Sequence, residues 1–263
     1  MSSFSHVLRR THATLANAGL NPLHTLSALR HLPAFIKDAR TYRAHQQNSM
    51  PLRLSNLFPI LTDKTATAGA HTSHYFQMDL FMARRVHAAK PKQHLDIGSR
   101  LDGFLGHLIA AGQPVTMVDI RPLPNPPQGL DFKQDDATTL KSIKSNSVPS
   151  LSSLHAAEHF GLGRYGDPID PAAAEKFMTT LARVLKPGGH LYFATPIGVE
   201  RLEFNAHRVF SPATIQRIFV EQAGLTLEES AVITTAGSLI PKANPLDYSH
   251  EHFACGLYLF TKE

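Results

Sequence analysis

From Pro91 onward, short apolar runs alternate with stretches of helical periodicity, and several of the runs end in an acidic residue or a glycine. Such a chain has few ways to bury its apolar faces, and strands alternating with helices predict a mostly parallel sheet covered by helices. Strands are expected at 94–97, 115–119, 130–134, 150–154, 190–194, 225–232 and 256–260, giving seven strands with helices in the intervals. Two helices carry both boundary signals. Asp170-Pro171 opens an Ala-rich segment running to Leu185, before Pro187-Gly188-Gly189, and Ser211-Pro212 opens another that Gly224 closes.

The segment before this pattern reads differently. No acidic residue precedes Asp38, whereas Arg9, Arg10, Arg30 and Lys37 lie among Leu23, Leu26, Leu29, Leu32 and Phe35 at near-helical spacing. Asn21-Pro22 supplies an N-cap and a proline at the first helical position, and Pro33 is expected to divide the rest into two short helices. Residues 1–73 are therefore read as a basic helical extension and 74–263 as the main domain. The extension suits a peripheral membrane contact, a partner-binding surface or a lid; its plain reading is a helical arm packed with its charges in water.

At 43% hydrophobic and 18% charged, the 263-residue chain has the composition of a folded protein, not a disordered one. The net charge of +5 favours anionic partners, but no zinc-finger spacing or RNA-binding aromatic signature accompanies it, so nucleic acid is not the expected partner. Cys255 is the only cysteine, which excludes an internal disulfide and a multi-cysteine metal site; no metal ligand set is expected. No secretory signal core or membrane-length apolar run is present, and the single thiol suits a reducing compartment, so a cytoplasmic protein is expected.

Chemistry concentrates where strands give way to turns. In 94–104 an acid and a glycine, Asp96 and Gly98, sit at a strand-to-helix junction, with Ser99, Arg100 and Gly103 following. Parallel sheets leave a crevice there, glycine lets a ligand approach the backbone, and a helix N-terminus offers N–H groups to an anion. The next strand ends in Asp119-Ile120-Arg121, where a carboxylate can accept both hydroxyls of an adenosine ribose. The third leads into Asp135-Asp136-Ala137, placing Asp136 as acceptor for an adenine amine. Each feature has a plainer structural reading, because Gly and Asp are common in turns for local reasons.

After the fourth strand come His155 and His159, with Glu158 between them, and a glycine-rich loop containing Asp167. A neutral histidine there can take a proton from an attacking hydroxyl, Asp167 can orient a histidine or a substrate hydroxyl, and Asp170 is read as a helix cap. His207 and Arg208 lie after the fifth strand, where they can meet a hydroxyl-rich or anionic acceptor. The string His155-x-x-Glu158-His159 also matches an inverted zinc-peptidase motif, but its position directly after an apolar strand argues against a metal helix.

Taken in order, Asp96-Ile97-Gly98, Asp119, Asp136-Ala137, Glu158-His159 and the run 183–189 resemble class I S-adenosylmethionine-dependent methyltransferases. More narrowly, DIGSRLDGF, VDIRPL, SLHAAEHFGLGRYGDPIDP, RVLKPGGHLYF and EFNAHRVFSP resemble a methyltransferase-like family of unknown function over residues 74 to 262. The resemblance implies a Rossmann-like, seven-stranded α/β fold and S-adenosylmethionine as cofactor, held by Asp96, Gly98, Ser99, Arg100, Gly103, Asp119, Ile120, Asp136 and Ala137. It also implies His155, His159, Asp167 and His207 near the transferred methyl, and O-methylation of a small molecule or a surface-glycan precursor. The chain departs from the superfamily at Arg100, where a second glycine often sits, and from the narrower family at Pro149, where an acid is expected. Arg100 can compensate by pairing with the methionine carboxylate. A dehydrogenase is disfavoured because Gly98, Gly103 and Gly106 lack the G-x-G-x-x-G spacing. The non-enzymatic alternative is a catalytically degenerate methyltransferase fold that binds a partner through its basic arm.

Overall fold

The computed structural model describes residues 11–12, 14–45, 50–65 and 73–263. The chain divides into two compact units, residues 1–70 and 71–263.

The first unit is built on one long helix, α1 (Pro22–His45). Asn21 caps it as its sequence predicts, Oδ1 accepting the His24 N–H at 3.1 Å. Arg43 and His45 in the last turn complement the negative end of the helix dipole. The break expected at Pro33 does not occur: α1 runs through it. A proline removes only its own N–H bond, and the remaining ladder on either side holds the turn. Leu26, Leu29 and Ile36 are exposed on this unit. Arg9, Arg10 and the Leu23 side chain lie outside the described residues.

The second unit opens with α2 (His74–Ala89), capped by Ser73, whose hydroxyl accepts the Phe76 N–H at 3.3 Å. Strand β1 (His94–Ile97) follows, then a π-helical turn (Leu101–Leu105) leading into α3 (Gly106–Ala110). Next come β2 (Val115–Asp119), β3 (Leu130–Gln134), β4 (Val148–Leu154), α4 (Ala173–Val184) and β5 (Leu185–Ile197). A small hairpin of β6 (Arg201–Glu203) and β7 (His207–Val209) precedes α5 (Pro212–Gln216) and its π-helical continuation. The chain finishes with β8 (Leu225–Ile233), β9 (Leu239–Pro241) and β10 (Ala254–Lys262).

The main sheet has eight strands in the order β3-β2-β1-β4-β5-β10-β8-β9, one more than the sequence pattern suggests. β3 through β5 are parallel, whereas β10 runs antiparallel to both β5 and β8, and β9 antiparallel to β8. The additional β9 is three residues long, too short to show a period of two. The intervals β2–β3 and β3–β4 carry turns instead of the expected helices. Pro122, Pro124, Pro126 and Pro127 remove the donors a helix would need in the first of them.

Alternation along the strands separates two apolar layers. Leu191 and Phe193 of β5 join Phe177, Leu181 and Phe219 on one face, while Tyr192 and Ala194 join Met78, Met82, Phe104 and Leu108 on the other. Helix α4 and the segment after α5 cover the first face; α2 and the 101–110 segment cover the second. Strand order reverses between β1 and β4, since the chain proceeds outward from β1 to β3 and then returns to β4. Ligand crevices form at such a switch point, beyond the carboxyl ends of the strands.

Candidate active site

A cavity of about 680 Å³ opens at this switch point. Gly98, Asp119 and Asp136, from the tips of β1, β2 and β3, all line it. Gly98 has φ +71°, and a Cβ there would lie 3.1 Å from that of Ala156, so the position requires glycine for both conformation and space. Its N–H donates to the Val118 carbonyl at 3.0 Å, which ties the turn to β2. Ser99, Arg100, Ile120 and Ala137 also face the cavity; Asp96, Gly103 and His207 do not.

Asp96 is fully buried and points into the sheet. Its Oδ1 accepts hydroxyls from Ser99 (2.6 Å) and Ser152 (2.5 Å), and its Oδ2 accepts the Ser99 N–H at 3.1 Å. Ser152 in turn lies 2.8 Å from His94 Nε2, and Ser150 2.8 Å from Nδ1. Because the Ser152 proton is given to Asp96, Nε2 carries the imidazole proton and Nδ1 accepts from Ser150. This buried chain bolts β1 to β4 and fixes the turn that presents Gly98. Burial raises the Asp96 carboxyl to about 6 against the pull of its hydrogen bonds, and burial lowers His94 to about 3.

Asp119 lines the cavity but is already engaged. Arg121 donates its backbone N–H (2.8 Å) and Nε (2.9 Å) to Oδ1 and Nη2 to Oδ2 (2.7 Å), and its guanidinium lies over the Tyr165 ring at 4.5 Å. Asp136 is exposed and closes its own turn, Oδ1 accepting the Thr138 N–H (2.9 Å) and hydroxyl (2.7 Å). Its Oδ2 takes no hydrogen bond among the described residues. Arg100, expected to meet an anion, is paired in a fork with Asp102 at 3.0 and 2.6 Å and lies 4.7 Å above the Tyr75 ring. Gly103 has a packing role: a Cβ there would collide with the Asp79 carboxylate. Burial pushes that carboxyl up to about 6, with Arg100 and His155 opposing.

Directly after β4, His155 has φ +52° and is buried, with Nδ1 2.8 Å from Glu158 Oε1. Burial works against its charged form, and the adjacent Cys255 sulfur and Glu158 carboxylate outweigh burial, so the ring titrates above the usual histidine value. Glu158 is correspondingly held low by His155 despite its own burial. His159 lines the cavity with Nδ1 2.7 Å from the Ala206 carbonyl, which fixes the proton on Nδ1 and leaves the lone pair on Nε2. Burial lowers its pKa, partly offset by Glu158. The zinc-peptidase geometry is absent, because residues 157–159 form a single 3-10 turn and the two histidines are spent on different partners.

Asp167 faces the cavity, and its oxygens take the Gly161 N–H (2.7 Å) and Tyr165 N–H (3.2 Å), shaping the glycine loop. His207 is turned onto Phe253, ring centroids 5.2 Å apart, and Arg208 donates to the Phe160 carbonyl at 2.6 Å. Asp170 closes the turn before α4, Oδ1 accepting the Ala172 N–H at 3.0 Å, but the N-cap position belongs to Ala172 and not, as expected, to Asp170. Three contributors escaped the sequence reading. Tyr75 reaches the cavity from α2, Arg121 occupies Asp119, and the His94–Ser152 chain anchors Asp96. The Ser150, Ser152 and Ser153 hydroxyls in an otherwise apolar strand were the available signal for the last.

Comparison with known proteins follows the same outline. A family model described as a Caenorhabditis protein of unknown function, DUF268, matches residues 137–226, which run from the β3–β4 link to the start of β8. No curated protein matches the sequence. Among solved structures, a putative methyltransferase of Bacillus halodurans C-125 is similar at 17% identity, with 70% of this chain and 98% of that one covered and a TM-score of 0.50. The [4+2]-cyclase SpnF is similar at 12% identity, over 74% and 85% of the two chains, also with a TM-score of 0.50. An N1-methyltransferase of Burkholderia thailandensis, solved with S-adenosylhomocysteine, is 13% identical over 71% and 79%, with a TM-score of 0.48. The chain therefore has a Rossmann-like methyltransferase fold. A cyclase and a methyltransferase share it, so likeness at this level extends to fold alone.

Proposed function

We propose that this protein is an S-adenosylmethionine-dependent methyltransferase acting on a hydroxyl of a small molecule. One arrangement carries the reading: Gly98, Asp119 and Asp136, at the tips of three adjacent parallel strands, line a single cavity. The donor set suits the cofactor. Glycine at 98 leaves backbone bare for a close approach, and Asp119 retains acceptor capacity for ribose hydroxyls beside its Arg121 bonds. Asp136 Oδ2 and Ala137 flank apolar walls of Met117 and Phe132 suited to an adenine. Arg100 would meet the methionine carboxylate by exchanging its Asp102 partner.

When bound, the cofactor supplies an electrophilic methyl on a sulfonium. His159 holds its ring neutral near pH 7, because burial lowers its pKa, and offers Nε2 to the proton of the acceptor hydroxyl. His155 is the lesser candidate, its Nδ1 given to Glu158 and its Nε2 turned to the interior. The Asp167-shaped loop and Tyr165 wall the cavity and limit water. A surface-glycan precursor is one acceptor class, supported by the family resemblance, and a cytoplasmic protein touching an anionic membrane surface is supported by the basic helix with its exposed leucines.

Calorimetry with the full chain should give saturable S-adenosylmethionine binding. With a pool of hydroxylated acceptors, His159→Gln should lower turnover about 10²–10⁴-fold while leaving cofactor affinity unchanged. Absence of binding by the folded protein defeats the proposal and favours the degenerate-fold alternative.

A further inference from the structure

At the edge of the cavity that His155 lines, three residues from distant parts of the sequence converge. His74 opens α2, His155 follows β4, and Cys255 lies in β10. One ligand atom from each lies within 4.8 Å of the other two, and no other His, Cys, Asp or Glu group among the described residues comes together in this way. Cys255 is fully buried and His155 is 8% exposed.

His155 Nε2 is the telling atom. It is inaccessible to solvent, and the polar group it meets is the Cys255 sulfur. Of the buried side-chain atoms without an oxygen or nitrogen partner among the described residues, it is the one that lies in a cluster of metal-ligating groups. Glu158 Oε1, 2.8 Å from Nδ1, fixes the ring on that side, so an ion meets the imidazole at Nε2 and takes the place of the proton Nε2 carries when the ring is charged. A histidine donating one nitrogen to a carboxylate and presenting the other is the usual support of a metal ligand. His74 is likewise held in place, stacked on Phe253 at 5.3 Å and 8°.

We propose that His74, His155 and Cys255 bind one divalent ion of the zinc class, with Glu158 as the positioning residue for His155. Two imidazoles and a thiolate suit a borderline-soft ion, and three protein ligands leave one coordination position for water or a substrate atom. Bonds of about 2.0–2.3 Å imply ligand-to-ligand edges of roughly 3.3–3.6 Å, so the three side chains close by about an ångström on the ion. Binding exchanges the Cys255 S–H bond, and the Nε2–H bond of His155 when its ring is charged, for metal bonds and releases those protons to solvent. The ion would staple α2 and β10 to the loop that carries the reaction edge. This site is independent of the methyl-transfer reading.

The full chain, stripped with chelator, is titrated with cobalt(II), followed by zinc. The expected result is a near-ultraviolet thiolate-to-cobalt charge-transfer band that saturates at one ion per chain and vanishes when zinc displaces cobalt. Cys255→Ser should abolish the band, His74→Gln should weaken binding at least tenfold, and Glu158→Gln should weaken it about 10–100-fold. Circular dichroism checks each variant. Should a variant fail to fold, the parent protein decides by X-ray absorption of its zinc form, which should show one sulfur and two imidazole nitrogens around the ion. No saturable band, an unchanged band in folded His74→Gln, or a zinc form without a sulfur ligand, the mark of a simple imidazole–thiol pair, overturns the proposal.

Discussion

Asp96 and Asp119 end neighbouring parallel strands, and their fates differ. Asp96 turns inward and spends its oxygens on Ser99 and Ser152, whereas Asp119 turns toward the cavity with its acceptor face held by Arg121. The first acid builds the turn and the second is available to a ligand. An acid at a strand tip is therefore a position, and its role follows from the side of the sheet it points to and from the donors nearby.

The largest effect that can break this comparison is on stability. Asp96→Ala leaves the Ser99 N–H and two serine hydroxyls without their acceptor in a fully buried site, and should destabilise the fold by about 3–5 kcal/mol in urea unfolding. Asp119→Ala should change stability by less than about 1 kcal/mol, with its loss appearing in cofactor binding. Equal destabilisation by the two would erase the distinction.

Next in size is the pH dependence of the buried chain. Asp96, raised to about 6, favours folding when protonated, so its contribution is present below about 4 and is lost as pH rises through 6. His94, lowered to about 3, favours folding when neutral, so its contribution is present above about 6.5 and is lost as pH falls toward 3. Asp96→Asn should therefore be more damaging at pH 4 than at pH 7, and His94→Gln more damaging at pH 7 than at pH 4. Denaturant midpoints at both pH values give the signs, and parallel slopes in the two variants contradict the assignment.

The smallest effect concerns the partner of Asp119. The Arg121 side chain is half exposed, so Arg121→Gln should alter stability by no more than about 1 kcal/mol. A larger loss in a thermal melt would mean that the pair supports the fold and that Asp119 resembles Asp96 after all.

Much of the architecture was legible. The strands at 94–97, 115–119 and 130–134 lie at the expected residues because their alternation and terminal Gly and Asp are local properties. The Asn21 cap and the Ser211-Pro212 helix start follow for the same reason, whereas α4 begins at Ala173, past Asp170-Pro171. The exceptions were also local signals, overruled by neighbours. Pro33 failed to break α1, and Asp170, read as the cap of α4, sits two residues ahead of its N-cap.

The sequence by itself determined the alternation of strands and helices, and with it a sheet whose strand tips carry Gly98, Asp119 and Asp136, because side-chain period and turn chemistry act over a few residues. Which acid faces the cavity, which histidine keeps a usable lone pair, and the meeting of His74, His155 and Cys255 were decided only by tertiary structure. Those outcomes depend on contacts between elements far apart in the chain, where burial and hydrogen-bond supply, not spacing, set what each side chain can do.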